Sequence, residues 1–314
     1  MRYITVIFVS AGLAVLVIAY SFVITLGAPI EAGRWVNECL VIKRTAIQRI
    51  NPKMVILSGS NGLFGFSAQR FTELFGIPTV NASCNGGLGV DYINHYWRRF
   101  LAPGRVFVLP LEYQLYGNRR LANDALIYQM AGYDSDFFWN LSFTDKLTVL
   151  GSITPFTRIR LIRNFLWPYP KIESSGYQSC TLNVYGDETS NKIESRTESM
   201  LDRVKRRPRS VFMHDQQAWN VIADFVKHAK LASSRVVLSY PNIYSGALDV
   251  KRNSGFLHEI RLRAEDIGLQ VVGDWSDAVF EDEDVFDSVD HQNNHGQIRS
   301  TDRLFAQLRN AGVL

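Results

Sequence analysis

The chain has 314 residues, of which 46% are hydrophobic and 20% charged, with a formal net charge of +4. That apolar content supports a packed core, enough for one large α/β domain or two small ones. It excludes a disordered chain, a collagen-like repeat and a coiled coil. The small charge gives no argument for a nucleic-acid binder, and three cysteines (Cys39, Cys84, Cys180), none in a CxxC, exclude a disulfide scaffold and a zinc ribbon.

Ile4 to Leu26 is an uncharged apolar run. About 23 residues as a helix span ~30 Å of hydrocarbon, so the run predicts a membrane anchor over 1–30. The sites available for signal cleavage, after Ala28 or Ala32, put Leu26 or Ile30 where a small residue is needed, which favours an uncleaved anchor. Arg2 precedes the run, and Arg34, Lys43 and Arg44 follow it. The charge bias weakly favours a cytoplasmic N-terminus and the bulk of the chain outside the cytoplasm.

Beyond the anchor, Trp35, Val36, Cys39, Leu40, Ala46, Ile47 and Ile50 recur at helical spacing, which predicts a helix over 32–50 ended by Pro52. Met54 to Leu57 is a short apolar run bounded by turn residues, hence a buried strand. A helix over 67–75, a strand over 78–81, a helix over 91–100 and a strand over 105–111 follow. This β-α-β-α-β alternation means a parallel sheet covered by helices. Residues 117–200 break the rhythm and read as an inserted cap, with a solvated basic stretch at Asp202–Arg209 just beyond it. Helices over 216–229, 256–267 and 297–308 and strands over 235–240 and 269–272 complete the domain, 31–314.

Four segments can carry chemistry. Ser58-Gly59-Ser60-Asn61-Gly62 follows the first strand, where a serine hydroxyl is exposed with a helix N-terminus behind it; both suit a nucleophile. Gly59, Gly62 and Gly65 also spell a spacing close to dinucleotide-binding turns. Against that stand Asn81, rather than an acid, at the end of strand two, and the absence of a Tyr-x-x-x-Lys. Near the C-terminus, Asp287 precedes His291 in a loop, an arrangement in which a carboxylate fixes the imidazole as a general base. A metal site through His291 and His295 is the rival, but that spacing needs a helix, and Asn293, Asn294 and Gly296 predict a turn. Asn85, Gly86 and Gly87 follow strand two, where backbone N–H groups can approach an oxyanion. Glu112 and Tyr113 sit at the end of strand three.

In this order, the segments resemble the SGNH hydrolase superfamily, the GDSL-like esterases and acyltransferases. The closer likeness is to membrane-anchored bacterial proteins of cell-envelope or exopolysaccharide O-acylation. It is carried by PKMVILSGSNGLFG, TVNASCNGG, LPLEY, LNVYGDE, SYPN and FDSVDHQNNHGQIRSTDRL, and covers about 40 to 310. The resemblance implies a flavodoxin-like three-layer α/β/α fold with Ser60 as nucleophile, His291 as base and Asp287 orienting it. Gly86, Gly87 and Asn85 would serve the oxyanion. It implies an acyl-ester or glycan substrate, no metal or other cofactor, a multi-span acyltransferase as partner, and a single-pass inner-membrane protein with its bulk in the periplasm. The chain departs from the family in three places. The family's Gly-Asp-Ser reads Ser58-Gly59-Ser60, without the acid, the Asp-His spacing is one residue longer, and Glu112-Tyr113 stands where an asparagine is usual. These departures keep open a non-catalytic glycan-binding or assembly role, in which Tyr128, Tyr133, Phe137, Phe138 and Trp139 would stack on sugars.

Overall fold

The computed structural model describes residues 30–167 and 178–314, with Tyr20, Phe22, Val23 and residues 25–27 of the N-terminal stretch. The expected anchor, Ile4 to Leu26, lies almost entirely outside the described residues, and among these no helix is long and apolar enough to cross a membrane. The chain divides into two compact units. One holds Glu38–Arg119 and Gln178–Leu314, the other Met1–Asn37 and Arg120–Tyr177.

The larger unit is built on a parallel sheet of five strands: β1 (Met54–Ile56), β2 (Thr79–Asn81), β3 (Val106–Leu109), β4 (Arg235–Ser239) and β6 (Gln270–Val272). Their order is β2-β1-β3-β4-β6. Counting this sheet's strands alone, that is the 2-1-3-4-5 order of flavodoxin-like folds, whose switch point lies between β1 and β3. The apolar runs are short and continuous because both sheet faces are covered. On one face Met54, Ile56, Val108, Val237 and Val272 pack with Phe66, Phe71, Leu304 and Leu308. This face lies under α3 (Ala68–Glu73) and α12 (Asn294–Asn310). On the other, Phe107 meets Phe225 of α10 (Gln216–Leu231) edge to face at 5.6 Å, and α4 (Gly89–Trp97) packs beside it. Helices on both faces are compatible with three α/β/α layers.

The predicted strands and helices of this unit are all present, with shifted ends. Helix α11 (Val250–Asp266) starts six residues before the expected 256 because Asp249 caps it, its side chain accepting the Arg252 N–H. Helix α12 starts at Asn294 because Asn293 accepts the His295 and Gly296 N–H groups. A short parallel pair, β5 (Ile243–Tyr244) with β7 (Val279–Phe280), was not foreseen. The expected basic stretch lies on and after α9 (Glu198–Lys205), a largely exposed helix.

The insertion is shorter than the expected 117–200. Residues 178–200 return to the sheet unit, and side-chain bonds explain why. Asp187 caps α3, accepting the Ala68 and Gln69 N–H groups at 2.7 and 2.8 Å. The buried Lys43 ammonium donates to the carbonyls of Asn81 and Gly186. The smaller unit holds α5 (Asp124–Gly132), α6 (Ser135–Asn140), α7 (Phe143–Ser152) and α8 (Pro155–Leu166), three of them capped by Asn123, Ser142 and Thr154. Tyr128, Phe137 and Phe138 are buried in it and Tyr133 donates to the Ile30 carbonyl, so of the five aromatics expected to meet sugars only Trp139 is exposed.

Candidate active site at the carboxyl edge of the sheet

Ser60 follows β1 and opens α2 (Ser60–Gly65). With two glycines in six residues this segment has little helical propensity of its own, and the sequence reads as a turn. Two distant side chains, Glu112 and Asn81, and the backbone of Asn242 hold it as a helix. Glu112, just after β3, sits at its N-terminus, its carboxylate accepting the N–H groups of Gly59 (3.0 Å) and Asn61 (2.9 Å) and the Ser58 hydroxyl (3.1 Å). Asn81, at the end of β2, donates to the carbonyls of Gly62 and Phe66 at 2.9 and 3.0 Å. Asn61 exchanges bonds with Asn242 in the loop after β4 and reaches the Asp290 carbonyl at 3.3 Å. The Asn61 amide is therefore a clamp between loops and not an oxyanion donor.

The three glycines of this segment face protein atoms. A Cβ on Gly59 would lie 2.3 Å from Glu112 Oε1, one on Gly62 2.3 Å from Ser83 Oγ, and one on Gly65 2.4 Å from Asn242 Nδ2. Their spacing is set by packing within the loop cluster, which leaves no room for a pyrophosphate against them. This weighs against the dinucleotide reading.

The loop carrying Asp287 and His291 is closed by an antiparallel bridge between Val285 and Gln292, and the Phe286 N–H donates to the His291 carbonyl at 2.9 Å. The bridge folds the four-residue spacing back on itself, and Asp287 Oδ1 meets His291 Nδ1 at 2.7 Å. The extra residue in this spacing therefore costs nothing in geometry. The Asp290 carbonyl serves Asn61. His291 is buried, its side chain 9% exposed, and its imidazole stacks on Phe64, centroids 4.2 Å apart and planes 15° apart. Phe64 lies four residues after Ser60 on α2, so the two share a helix face, one turn (~5.4 Å) apart. Ser60 is half-buried, between Gly59 and Asn61, which are buried. His295 lies apart from this cluster, exposed in the first turn of α12.

Of the oxyanion groups expected from the sequence, Gly86 is brought against Gly59, the residue before Ser60: its N and Cα would be 2.4 Å from a Cβ on Gly59. Gly87 is not available, because its N–H donates to Asn85 Oδ1 at 2.7 Å and closes the turn Gly86–Leu88 on itself. Asn85 thereby serves as the cap of that turn. Glu112 is the residue that sequence reasoning undervalued. The signal was its position after β3 on the same rim, across the switch point from Ser60, but its role depends on contacts 51 to 54 positions away. No protein-family model matches the sequence, and no curated protein is similar enough to it to be matched.

Proposed function

We propose that the chain is a serine esterase or O-acyltransferase of SGNH type. Ser60 is its nucleophile, His291 its base and Asp287 the residue that orients His291. The observation that carries this reading is the 2.7 Å bond between His291 Nδ1 and Asp287, made by an imidazole stacked one helical turn from Ser60. With Nδ1–H donating to the carboxylate, Nε2 is the proton acceptor. Ser60 Oγ attacks the acyl carbonyl and its proton passes to His291 Nε2. The tetrahedral oxyanion is met by the N–H groups of Ser60 and Gly86. Collapse expels the alcohol, which takes the proton from His291, and leaves an acyl-Ser60 ester. Water or a sugar hydroxyl then attacks that ester by the same steps reversed. The five-strand order, with the serine after the first strand, supports the SGNH assignment.

The acyl group in this proposal is acetyl, and the acceptor or donor is a cell-envelope or exopolysaccharide glycan. The protein is held in the inner membrane by Ile4 to Leu26, with its bulk in the periplasm, beside a multi-span acyltransferase. These points rest on the sequence motifs and on the uncharged N-terminal run.

A second reading, a non-catalytic glycan-binding or assembly subunit, is favoured by one observation. The Glu112 carboxylate takes the N–H groups flanking Ser60, which puts an anionic group beside the place where an oxyanion would form. Turnover of p-nitrophenyl acetate and of O-acetylated glycans by the full chain in detergent separates the two. Catalysis predicts turnover that Ser60→Ala and His291→Ala each abolish with the fold unchanged. Activity equal in wild type and Ser60→Ala overturns it.

A further inference from the structure

The smaller unit has a helix whose polarity is reversed. In α8 the residues turned inward are Thr157, Leu161 and Asn164, all buried. Thr157 Oγ1 shares hydrogen bonds with Thr154 and Asp124. The outward face carries Phe156, Ile159 and Leu166, and Trp167 follows directly. These four, with Trp139 and Phe143 from the preceding helices, are between 53% and 76% exposed. A helix facing water has the opposite pattern, and exposed apolar clusters of this kind mark a surface that something covers.

Charge identifies what covers it. From Trp139 to Trp167 the cations are Lys146, Arg158, Arg160 and Arg163, and the only acid is Asp145. Lys146 lies over the Trp139 ring at 5.9 Å and donates to the Trp139 carbonyl, and Arg160 lies over the Phe156 ring at 5.0 Å. Arginine and lysine set against tryptophan and phenylalanine on these consecutive helices suit a bilayer surface with anionic headgroups. The same unit receives the end of the uncharged N-terminal run. Phe22 is buried against Phe138, centroids 5.1 Å apart, and the Gly27 N–H donates to the Ala131 carbonyl at 2.6 Å. Phe138 is the neighbour of Trp139 in α6, so the apolar run ends beside the exposed patch.

We infer that α7 and α8 form a membrane-docking face, on which Phe143, Phe156, Ile159, Leu166 and Trp167 enter the interface of an anionic bilayer and the exposed Arg160 and Arg163 of α8 meet its phosphates. Such a face fixes the orientation of the smaller unit on the membrane, which a single flexible tether would not do. It does not depend on the catalytic proposal.

The test is spin-label accessibility on the full chain in lipid vesicles. Cys180, the exposed thiol, is replaced by serine. Labels go on Phe156→Cys, Ile159→Cys and Leu166→Cys. Met213→Cys and Leu231→Cys, exposed apolar positions of the other unit, are the water-facing controls. Vesicles are phosphatidylcholine alone or with roughly a third phosphatidylglycerol. The expected result is a ratio of oxygen to nickel-chelate collisions several-fold higher at the three α8 positions than at the controls. It should fall when phosphatidylglycerol is omitted or in Arg160→Gln/Arg163→Gln. Ratios equal to the controls overturn the inference. Low collision rates with both reagents overturn it too, because they mean that protein covers the face, be it the N-terminal run, a second copy or another subunit.

Discussion

Glu112 and Gly59 approach so closely that no side chain fits between them: Glu112 Oε2 accepts the Gly59 N–H at 3.0 Å, and a Cβ on Gly59 would lie 2.3 Å from Oε1. The same Cβ would be 2.4 Å from the Gly86 backbone. One contact joins the turn after β1, the rim of β3 and the turn after β2, the three loops that surround Ser60.

Gly59→Ala is therefore expected to destabilise the sheet unit by about 3 kcal/mol, since both neighbours must move and one of them is backbone. Urea unfolding checks this. A loss under about 0.5 kcal/mol would show that the loops do not pack as described.

Glu112→Ala leaves the Gly59 and Asn61 N–H groups without this acceptor. Ser58 keeps its bond to the Pro110 carbonyl, 2.6 Å away. Each unsatisfied buried donor costs about 1–3 kcal/mol, so a loss of about 3 kcal/mol is expected. Glu112→Gln keeps one acceptor oxygen and should lose less. Equal losses in the two variants would mean that the carboxylate is not the cap of α2.

These bonds also show why the sequence displayed the strands and not the site's framework. Met54 to Ile56 and Val106 to Leu109 announce themselves as short apolar runs between turn residues, because burial on both faces demands that composition. Ser60–Gly65 gives no such signal. It is helical because Glu112, Asn81 and Asn242 hold it, and no local pattern encodes a partner 181 positions away. Asp287 and His291 were legible as a pair because both lie in one loop; their contact at four-residue spacing needed the Val285–Gln292 bridge. The return of residues 178–200 to the sheet unit was illegible, since it depends on Asp187 reaching the N-terminus of α3.

His214 gives a pH dependence with a definite sign. Its Nδ1 accepts the Trp219 indole N–H at 3.1 Å and its Nε2 lies 3.1 Å from the Phe256 carbonyl, to which it donates in the neutral tautomer. Burial holds its pKa below the usual 6.5; Arg263 also lowers it, and the Phe256 carbonyl and Glu259 oppose the shift. A depressed histidine contributes stability that is present above the unfolded value and lost as pH falls through the folded one. Wild type should therefore lose more stability between pH 7 and pH 5 than His214→Gln does, as followed by urea midpoints. The same slope in both would assign the acid sensitivity to other groups.

The thiols set access against ionisation. Burial acts to raise the Cys39 thiol, but the Cys84 thiol and the Lys43 ammonium outweigh it and the net direction is down. Cys84 is pushed up, first by burial. Since both are buried and Cys180 is exposed, access decides. In the reduced, folded chain a dithionitrobenzoate titration should find Cys180 reacting at once and the other two only on unfolding. Fast reaction at Cys39 would contradict the packing of α1 (Glu31–Ile50).

Asp287→Asn tests the orienting role directly. The amide can still hydrogen-bond His291 but favours the wrong tautomer, and kcat for ester turnover should fall on the order of 10⁴-fold with KM little changed. An unchanged kcat would remove Asp287 from the mechanism.

The most direct measurement is covalent labelling of the full chain by a fluorophosphonate, read by intact mass and peptide mapping, with Ser60→Ala and His291→Ala alongside. A nucleophilic Ser60 activated by His291 predicts a single adduct on the peptide carrying Ser60, absent in both variants. An adduct that persists in Ser60→Ala, or a folded wild-type chain that takes up none, would contradict it.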